Sequence, residues 1–296
     1  MLWMLCVLFY GVSKGIREIM KKLALKKFSV IEVLFVYTVL SFVLVLPSAR
    51  NAGGLEVTQF LFIALKAFFV FLAWICGFKA IRKLPISLYG VLDLSRVLFA
   101  TGLGVFVLGE KLGAFQIFGL LFVGTGLLLL KFQPKKKELE VIKGEETSVA
   151  NAGRKDRTPF YVTIAFLSCI LNAMSGLLDK ILMKDMTSSQ LQFWYMLFLV
   201  SYYGIYALVS KTKINPKTWI NGWIWGLSIL FVLSDKALFI ANGIPESKIT
   251  VMTLIKQSGC IVTILAGKFI FKEKNIGYKL FCAAVIVFGI VLGVIR

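Results

Sequence analysis

Five long basic side chains, Lys14, Arg17, Lys66, Arg96 and Lys256, stand inside stretches otherwise built of Leu, Ile, Val, Phe and Ala. If those stretches cross a bilayer, each cation near the centre costs roughly 2.5–3.5 kcal/mol to insert. Several of them facing lipid together would cost on the order of 10 kcal/mol or more. They must therefore face one another, a water-filled cavity or a ligand. Arg96 and Lys256 are the sharpest pair. Each lies near the middle of its stretch, and they match when Leu84-Pro85-Ile86-Ser87 is laid over Ile244-Pro245-Glu246-Ser247. Tyr89, Asp93 and Arg96 follow i, i+4, i+7 spacing, and Thr250, Thr253, Gln257 and Cys260 share a broad face beside Lys256. Asp93, at i−3 from Arg96, is placed to neutralise it in part. Lys256 has no acidic neighbour on its own helix, which suits a negatively charged small molecule. The alternative is that Arg96 and Lys256 complete buried ion pairs with Asp93, Asp179 or Asp235.

Other polar residues at membrane depth extend this set. Lys14, Arg17 and Glu18 share one stretch, with Lys14 and Glu18 at i, i+4. Lys14 is matched by Asn172 in the second part of the chain, whereas Lys66 is matched only by Gly226. Arg17 reads equally well as a side chain reaching for the interface. Asp235 and Lys236 are adjacent, so about 100° apart on a helix, and cannot both face one partner. The candidate substrate-binding residues are Arg96, Lys256, Asp93, Lys14, Lys66, Tyr89, Thr253, Gln257, Asn172 and Asp235, with Asp93 and Asp235 as candidate proton carriers. Trp74, Trp194, Tyr195, Trp223 and Trp225 are candidates for cavity walls or for the aromatic belt.

Several chemistries are excluded or weakly supported. The chain has no histidine, which removes His-based zinc sites and general bases. Its five cysteines fall in apolar stretches with no CxxC, so disulfide and metal readings are weak. No glycine-rich phosphate loop follows a strand, which excludes an ATP-driven pump within this chain. No catalytic residue, metal or cofactor is expected.

The elements that must position these residues are membrane helices. Of 296 residues, 58% are hydrophobic, and the mean hydropathy is +0.85, beyond the roughly 45–50% apolar content of soluble domains. Apolar spans fall near 1–22, 30–49, 58–81, 86–108 and 113–131, then near 158–183, 188–210, 217–242, 247–271 and 277–295. Residues 132–157 form a polar linker. The first span has no basic region before it and no small-residue cleavage site after it, so it reads as a helix that stays. A formal net charge of +19 would suggest nucleic acid in a soluble protein. Here Lys and Arg gather at span ends and in the linker, the pattern of a topology signal, and no nucleic-acid partner is expected.

The two parts repeat. Leu84-Pro85-Ile86-Ser87 is answered by Ile244-Pro245-Glu246-Ser247, and Gly109-Glu110-Lys111, in a slightly longer register, by Lys272-Glu273-Lys274. Five spans in each part require the second to enter from the opposite side, an inverted repeat of the kind secondary transporters use. The expected fold is therefore all-α and membrane-integral: ten transmembrane helices as two inverted five-helix repeats, 1–131 and 158–296. The heavily basic loops all fall on one face, which the charge rule makes cytoplasmic, with both termini outside. Gly289 and Gly293, with Gly119, Gly124 and Gly126, favour close helix packing or a dimer face.

Leu108-Gly109-Glu110-Lys111-Leu112, followed by Gln116, Gly119 and Gly126, resembles the end of an EamA-like repeat, and Phe271-Lys272-Glu273-Lys274 with Gly289 is a degenerate second copy. Tyr10-Gly11 resembles the family's opening Trp-Gly. The resemblance covers both halves and points to the drug/metabolite transporter superfamily. It implies ten helices, alternating access, a cavity lined by helices 1, 3, 4, 6, 8 and 9, and cytoplasmic termini. Many such repeats carry a proline in the fourth helix, some way before the Glu. Here Ser95-Arg96-Val97 and Lys256-Gln257-Ser258 occupy that neighbourhood, which argues against generic hydrophobic-drug specificity. The expected function is secondary-active transport of a small anionic or phosphorylated metabolite in the cell membrane, most readily a bacterial inner membrane. The partners are then that solute and membrane lipids, with the chain a monomer or homodimer. A flippase for phospholipid or polyprenyl-phosphate headgroups, and a membrane-embedded transferase, are the alternatives.

Overall fold

The computed structural model describes residues 2–131, 157–273 and 276–294, and every regular element among them is helical. In chain order these are α1 (Leu2–Leu25), α2 (Val30–Val45) running into a 3-10 turn (Leu46–Asn51), α3 (Val57–Lys83), α4 (Ile86–Asp93), α5 (Arg96–Leu108) and α6 (Ala114–Lys131). After the polar stretch come α7 (Thr158–Leu182), α8 (Ser188–Val209), the short α9 (Pro216–Trp219), α10 (Gly222–Asn242), α11 (Ile249–Lys256), α12 (Gly259–Phe269) and α13 (Ile276–Val294). The linker expected at 132–157 lies, apart from Arg157, outside the described residues.

Seven of these spans are long and apolar enough to cross a bilayer, with Ile86–Leu108 counting as one. Three stretches fall outside that set: α6, whose apolar part is shorter, and α1 and α11–α12, which carry charged residues in their interior. Those charges lower the apolarity of the helix, and tertiary packing must compensate. Outward faces carry large exposed apolar side chains such as Leu5, Leu61, Leu121 and Leu233, a surface suited to lipid and unsuited to water.

Local signals explain the helix starts. Ser29 with Glu32, and Thr187 with Gln190 at the matching place in the second part, form capping boxes that open α2 and α8. The long helices then interlock across the chain: α1 packs on α10 and on α11–α12, and α7 packs on α3 and on α5. Glycines set the closest approaches. A Cβ on Gly119 would lie 2.5 Å from the Gly289 carbonyl oxygen, and one on Gly289 would lie 2.6 Å from that of Gly119. Gly119, Gly126 and Gly289 thus seat α6 against α13 within one chain, whereas a Cβ on Gly293 would meet Leu254 and one on Gly124 nothing within 4 Å.

Two spans are broken in their middle. Leu94, Ser95, Val97 and Leu98 donate to i−3 carbonyls, and so do Gln257, Ser258, Cys260 and Ile261. Each set is a short overwound 3-10 stretch, a feature that often marks a hinge. No proline is present at either break; local hydrogen bonding alone overwinds the helix. The breaks also correct the register read from the sequence. Laying the start of α4, Ile86, over the start of α11, Ile249, also lays Arg96 over Gly259, where α5 and α12 begin. The Pro85–Pro245 register falls short of this one, because the loop between Pro245 and α11 is longer than the direct step from Pro85 into α4. Arg96 therefore corresponds to Gly259 and Lys256 to Asp93, so the expected match of Arg96 with Lys256 does not hold in the fold.

Candidate functional site

The two breaks flank a central cavity that opens to the exterior, with about 950 Å³ of empty space when that open part is counted. Its lining comes from α1, α3, α4–α5, α7, α10 and α11, with Tyr37 from α2 and Tyr195 from α8. These are the first, third, fourth, sixth, eighth and ninth long helical stretches, as the resemblance implied. Of the ten candidate residues, Arg96, Lys256, Lys14, Lys66, Tyr89, Thr253, Asn172 and Asp235 line this space. Asp93 lies directly behind it, and buried Gln257 does not reach it.

Most of the charges neutralise one another. Lys14 pairs with Asp93, and Arg96 Nη2 donates to the same carboxylate at 2.8 Å. Asp93 thus joins a neighbour on the next turn to a side chain of α1. Lys66, 2% exposed, meets Asp179 at 3.1 Å and stands 3.3 Å from the centre of the Tyr195 ring. Lys21 bonds Glu18 at 2.7 Å. Lys14 and Glu18, though spaced i, i+4, do not pair with each other: Lys14 turns to Asp93 and Glu18 to Lys21. Buried pairs of this kind are costly to break, since removing one partner strands the other in low dielectric.

Two cations stand apart. Among the described residues, neither Arg17 nor Lys256 has a carboxylate within ion-pair distance. Both look onto the ring of Tyr10, at 5.2 and 5.8 Å from its centre. Arg17 also lies 5.2 Å from the ring of Phe231, and its Nε has no acceptor. It is 5% exposed, which rules out the interfacial reading. Asp235 lines the same cavity without an ion pair of its own among the described residues. Six cations (Lys14, Arg17, Lys21, Lys66, Arg96, Lys256) thus face four carboxylates (Glu18, Asp93, Asp179, Asp235) in and just behind the wall. In their ordinary ionisation states that leaves an excess of two positive charges. A stacked wall completes the chamber: the Tyr37 and Trp74 rings are 5.1 Å apart, and Phe231 meets Trp74 edge-on at 5.2 Å.

Tyr37 is a cavity residue that the sequence analysis misses, because an aromatic side chain on an apolar stretch carries no signal of direction, and Tyr10 enters it only through the Tyr10-Gly11 motif. Tyr37 matches Tyr195 in the same register that matches Lys14 with Asn172, and that recurrence could have marked it. Of the tryptophans, Trp74 faces the cavity. Trp194 Nε1 donates to the Ala52 carbonyl, and Trp223 and Trp225 are exposed.

Residues 1–132 of the 296 match the EamA-like transporter family, and that part of the chain is similar to it. The family lies within the drug/metabolite transporter superfamily, its members are transporters, and with its apolar helices this chain is a multi-pass membrane protein. No curated protein matches. A solved structure titled only as a crystal structure of a protein is similar at 10% identity and TM-score 0.69. The match covers 99% of this chain and 97% of that one, a likeness of fold alone.

Proposed function

We propose that this EamA-like protein is a secondary transporter that carries a small anionic, most readily phosphorylated, metabolite by alternating access. The carrying observation is the pair Arg17 and Lys256, two cations at one aromatic ring with no carboxylate in ion-pair reach among the described residues. A charged group left uncompensated at this depth is unfavourable, and an incoming anion supplies the missing partner. Arg17 offers a planar fork suited to phosphate or carboxylate, and Lys256 a point charge beside it. The Tyr37–Trp74–Phe231 wall takes the organic part of the solute.

Alternating access is supported by the paired architecture. Ten helical stretches form two series of five, matched early by the capping boxes of α2 and α8 and later by the breaks after Asp93 and Lys256. In our reading these are inverted repeats around the cavity, in a cell membrane. Asp235, without an ion pair among the described residues, is the proton carrier if transport is proton-coupled; Asp93, held by Lys14 and Arg96, stays charged.

The test is a thermal-shift screen of the purified protein against phosphorylated and carboxylated metabolites, followed by uptake of hits into proteoliposomes. Hits raise Tm because they bind only the folded state. Lys256→Gln and Arg17→Gln are each expected to weaken a hit by about 10- to 100-fold, the worth of a charge-assisted hydrogen bond. Folded variants that both carry the solute at the wild-type rate would remove these residues from the mechanism. Hits that are all cations would overturn the anionic reading.

A further inference from the structure

The repeated Gly-Glu-Lys and Lys-Glu-Lys segments are not used by the cavity, yet they are built to the same plan. Gly109 and Lys272 both take left-handed backbone, at φ 65° and 51°. The next residue in each case, Glu110 or Glu273, donates its N–H to the carbonyl of Gly104 or Gly267, at 3.0 and 2.9 Å. Each bond reaches back six residues, one further than the 6→1 bond of a Schellman close, and folds the chain back over the helix C-terminus. The glycine also leaves room for the carboxylate: a Cβ on Gly104 would lie 3.0 Å from Glu110 Oε2, and one on Gly267 3.1 Å from Glu273 Oε2.

Each carboxylate then reaches into the other series. Glu110 Oε1 accepts from the Ile249 N–H at 2.7 Å, the first residue of α11. Glu273 accepts from the Ile86 N–H at 2.6 Å, the first residue of α4, and also from the Ser87 N–H and hydroxyl. An anion is favoured at both places by the free N–H groups of a helix start. Lysines reinforce both sites. Lys279 donates to Ser87 Oγ at 2.9 Å, and Lys180 to the Asn242 and Ile244 carbonyls and Ser247 Oγ. Lys22 donates to the Leu84 carbonyl. That contact repeats the one from Lys180 to Asn242, since the register matching Lys14 with Asn172 matches both of its ends.

The two clusters stand at opposite ends of a single span. Ile86 opens it, Leu108 closes it, and 23 residues at about 1.5 Å each separate the ends by roughly 34 Å, the thickness of a bilayer. The broken hinge lies between them, beside the cavity. We infer that Glu110 and Glu273 are two latches, one at each mouth of the cavity, and that the cavity opens to a side by releasing the carboxylate there while the opposite one holds. This rests on the alternating-access reading above but not on the identity of the solute.

The experiment uses the full chain with its five cysteines replaced and one probe cysteine restored at the cavity wall, Phe78→Cys toward the Glu273 end or Leu238→Cys toward the Glu110 end. Each is labelled in proteoliposomes with a membrane-impermeant thiol reagent. Glu273→Gln is expected to raise labelling of the Phe78→Cys probe about tenfold, the population shift from losing one charge-assisted hydrogen bond, and to lower that of Leu238→Cys. Glu110→Gln is expected to do the reverse. Ser87→Ala keeps the carboxylate and removes one of its donors. It serves where Glu273→Gln fails to fold, with a smaller shift of the same sign. Unchanged labelling in folded variants, or both variants opening the same end, would overturn the latches. Opposite shifts in a protein that moves no anion would keep the latches and discard the anionic solute. Anion uptake with labelling unmoved would do the opposite.

Discussion

The two breaks in the membrane helices share a backbone and differ in what they do with charge. At the first, between α4 and α5, Asp93 closes the helix before the kink and is held by Lys14 and Arg96. At the second, between α11 and α12, the same register position is Lys256, which holds no carboxylate in ion-pair reach among the described residues. Packing differs in step. α1 crosses the second break through glycines, so closely that a Cβ on Gly259 would collide with the Gly11 carbonyl oxygen. α7 crosses the first through Cys169, whose thiol lies 3.8 Å from the Leu92 carbonyl oxygen. One break is held by an ion-pair cluster on Asp93, although Ser95 Oγ and Arg96 Nε beside it have no hydrogen-bond partner. The other is sterically tight and leaves its charge available. Two breaks of the same backbone form thus carry charge in different ways, one paired and one without a carboxylate in ion-pair reach among the described residues.

This contrast can be broken by substitution. The largest effect is expected for Asp93→Asn, which strands Lys14 and Arg96 in low dielectric; a loss of about 3–5 kcal/mol should appear as a collapse of Tm or of the monodisperse yield in detergent. Next is Gly259→Ala, whose methyl group must push α1 from α12. Overpacking of about 1–3 kcal/mol is expected, with the Tm lowered and no comparable loss for Cys169→Ala, which opens space at the other break. The smallest effect on stability is expected for Lys256→Gln, within about 1 kcal/mol of wild type by thermal unfolding, because no partner is stranded. If Lys256→Gln proved as damaging as Asp93→Asn, the two breaks would not differ as described.

Much of this was legible in the chain. The ten apolar stretches lie close to the helical ones, because bilayer thickness sets a length that composition must honour. Eight of the ten candidate residues, Arg96 and Lys256 among them, reach the cavity, since an ionisable group at membrane depth has few other places to go. Gln257 is an exception: it is buried with its Nε2 unpartnered and does not reach the cavity, because the overwound turn changes the direction of its side chain. The i, i+4 spacing of Lys14 and Glu18 does not say whom either meets, because spacing measures neighbours on one helix, while α4 supplies Lys14 with a carboxylate from outside it.

Sequence alone determined the membrane helices, their repeat and the depth of the cations, since all three follow from hydropathy and periodicity along one dimension. Tertiary structure alone decided which cations find a carboxylate and which, among the described residues, do not. Lys14 on α1 meets Asp93 on α4, and Lys66 on α3 meets Asp179 on α7, contacts that no local spacing encodes. It also decided the register, by lengthening the loop before α11 and so setting Lys256 opposite Asp93 instead of Arg96. The physical reason is that Coulomb energy in low dielectric depends on distance through space, and only the packed helices define that distance.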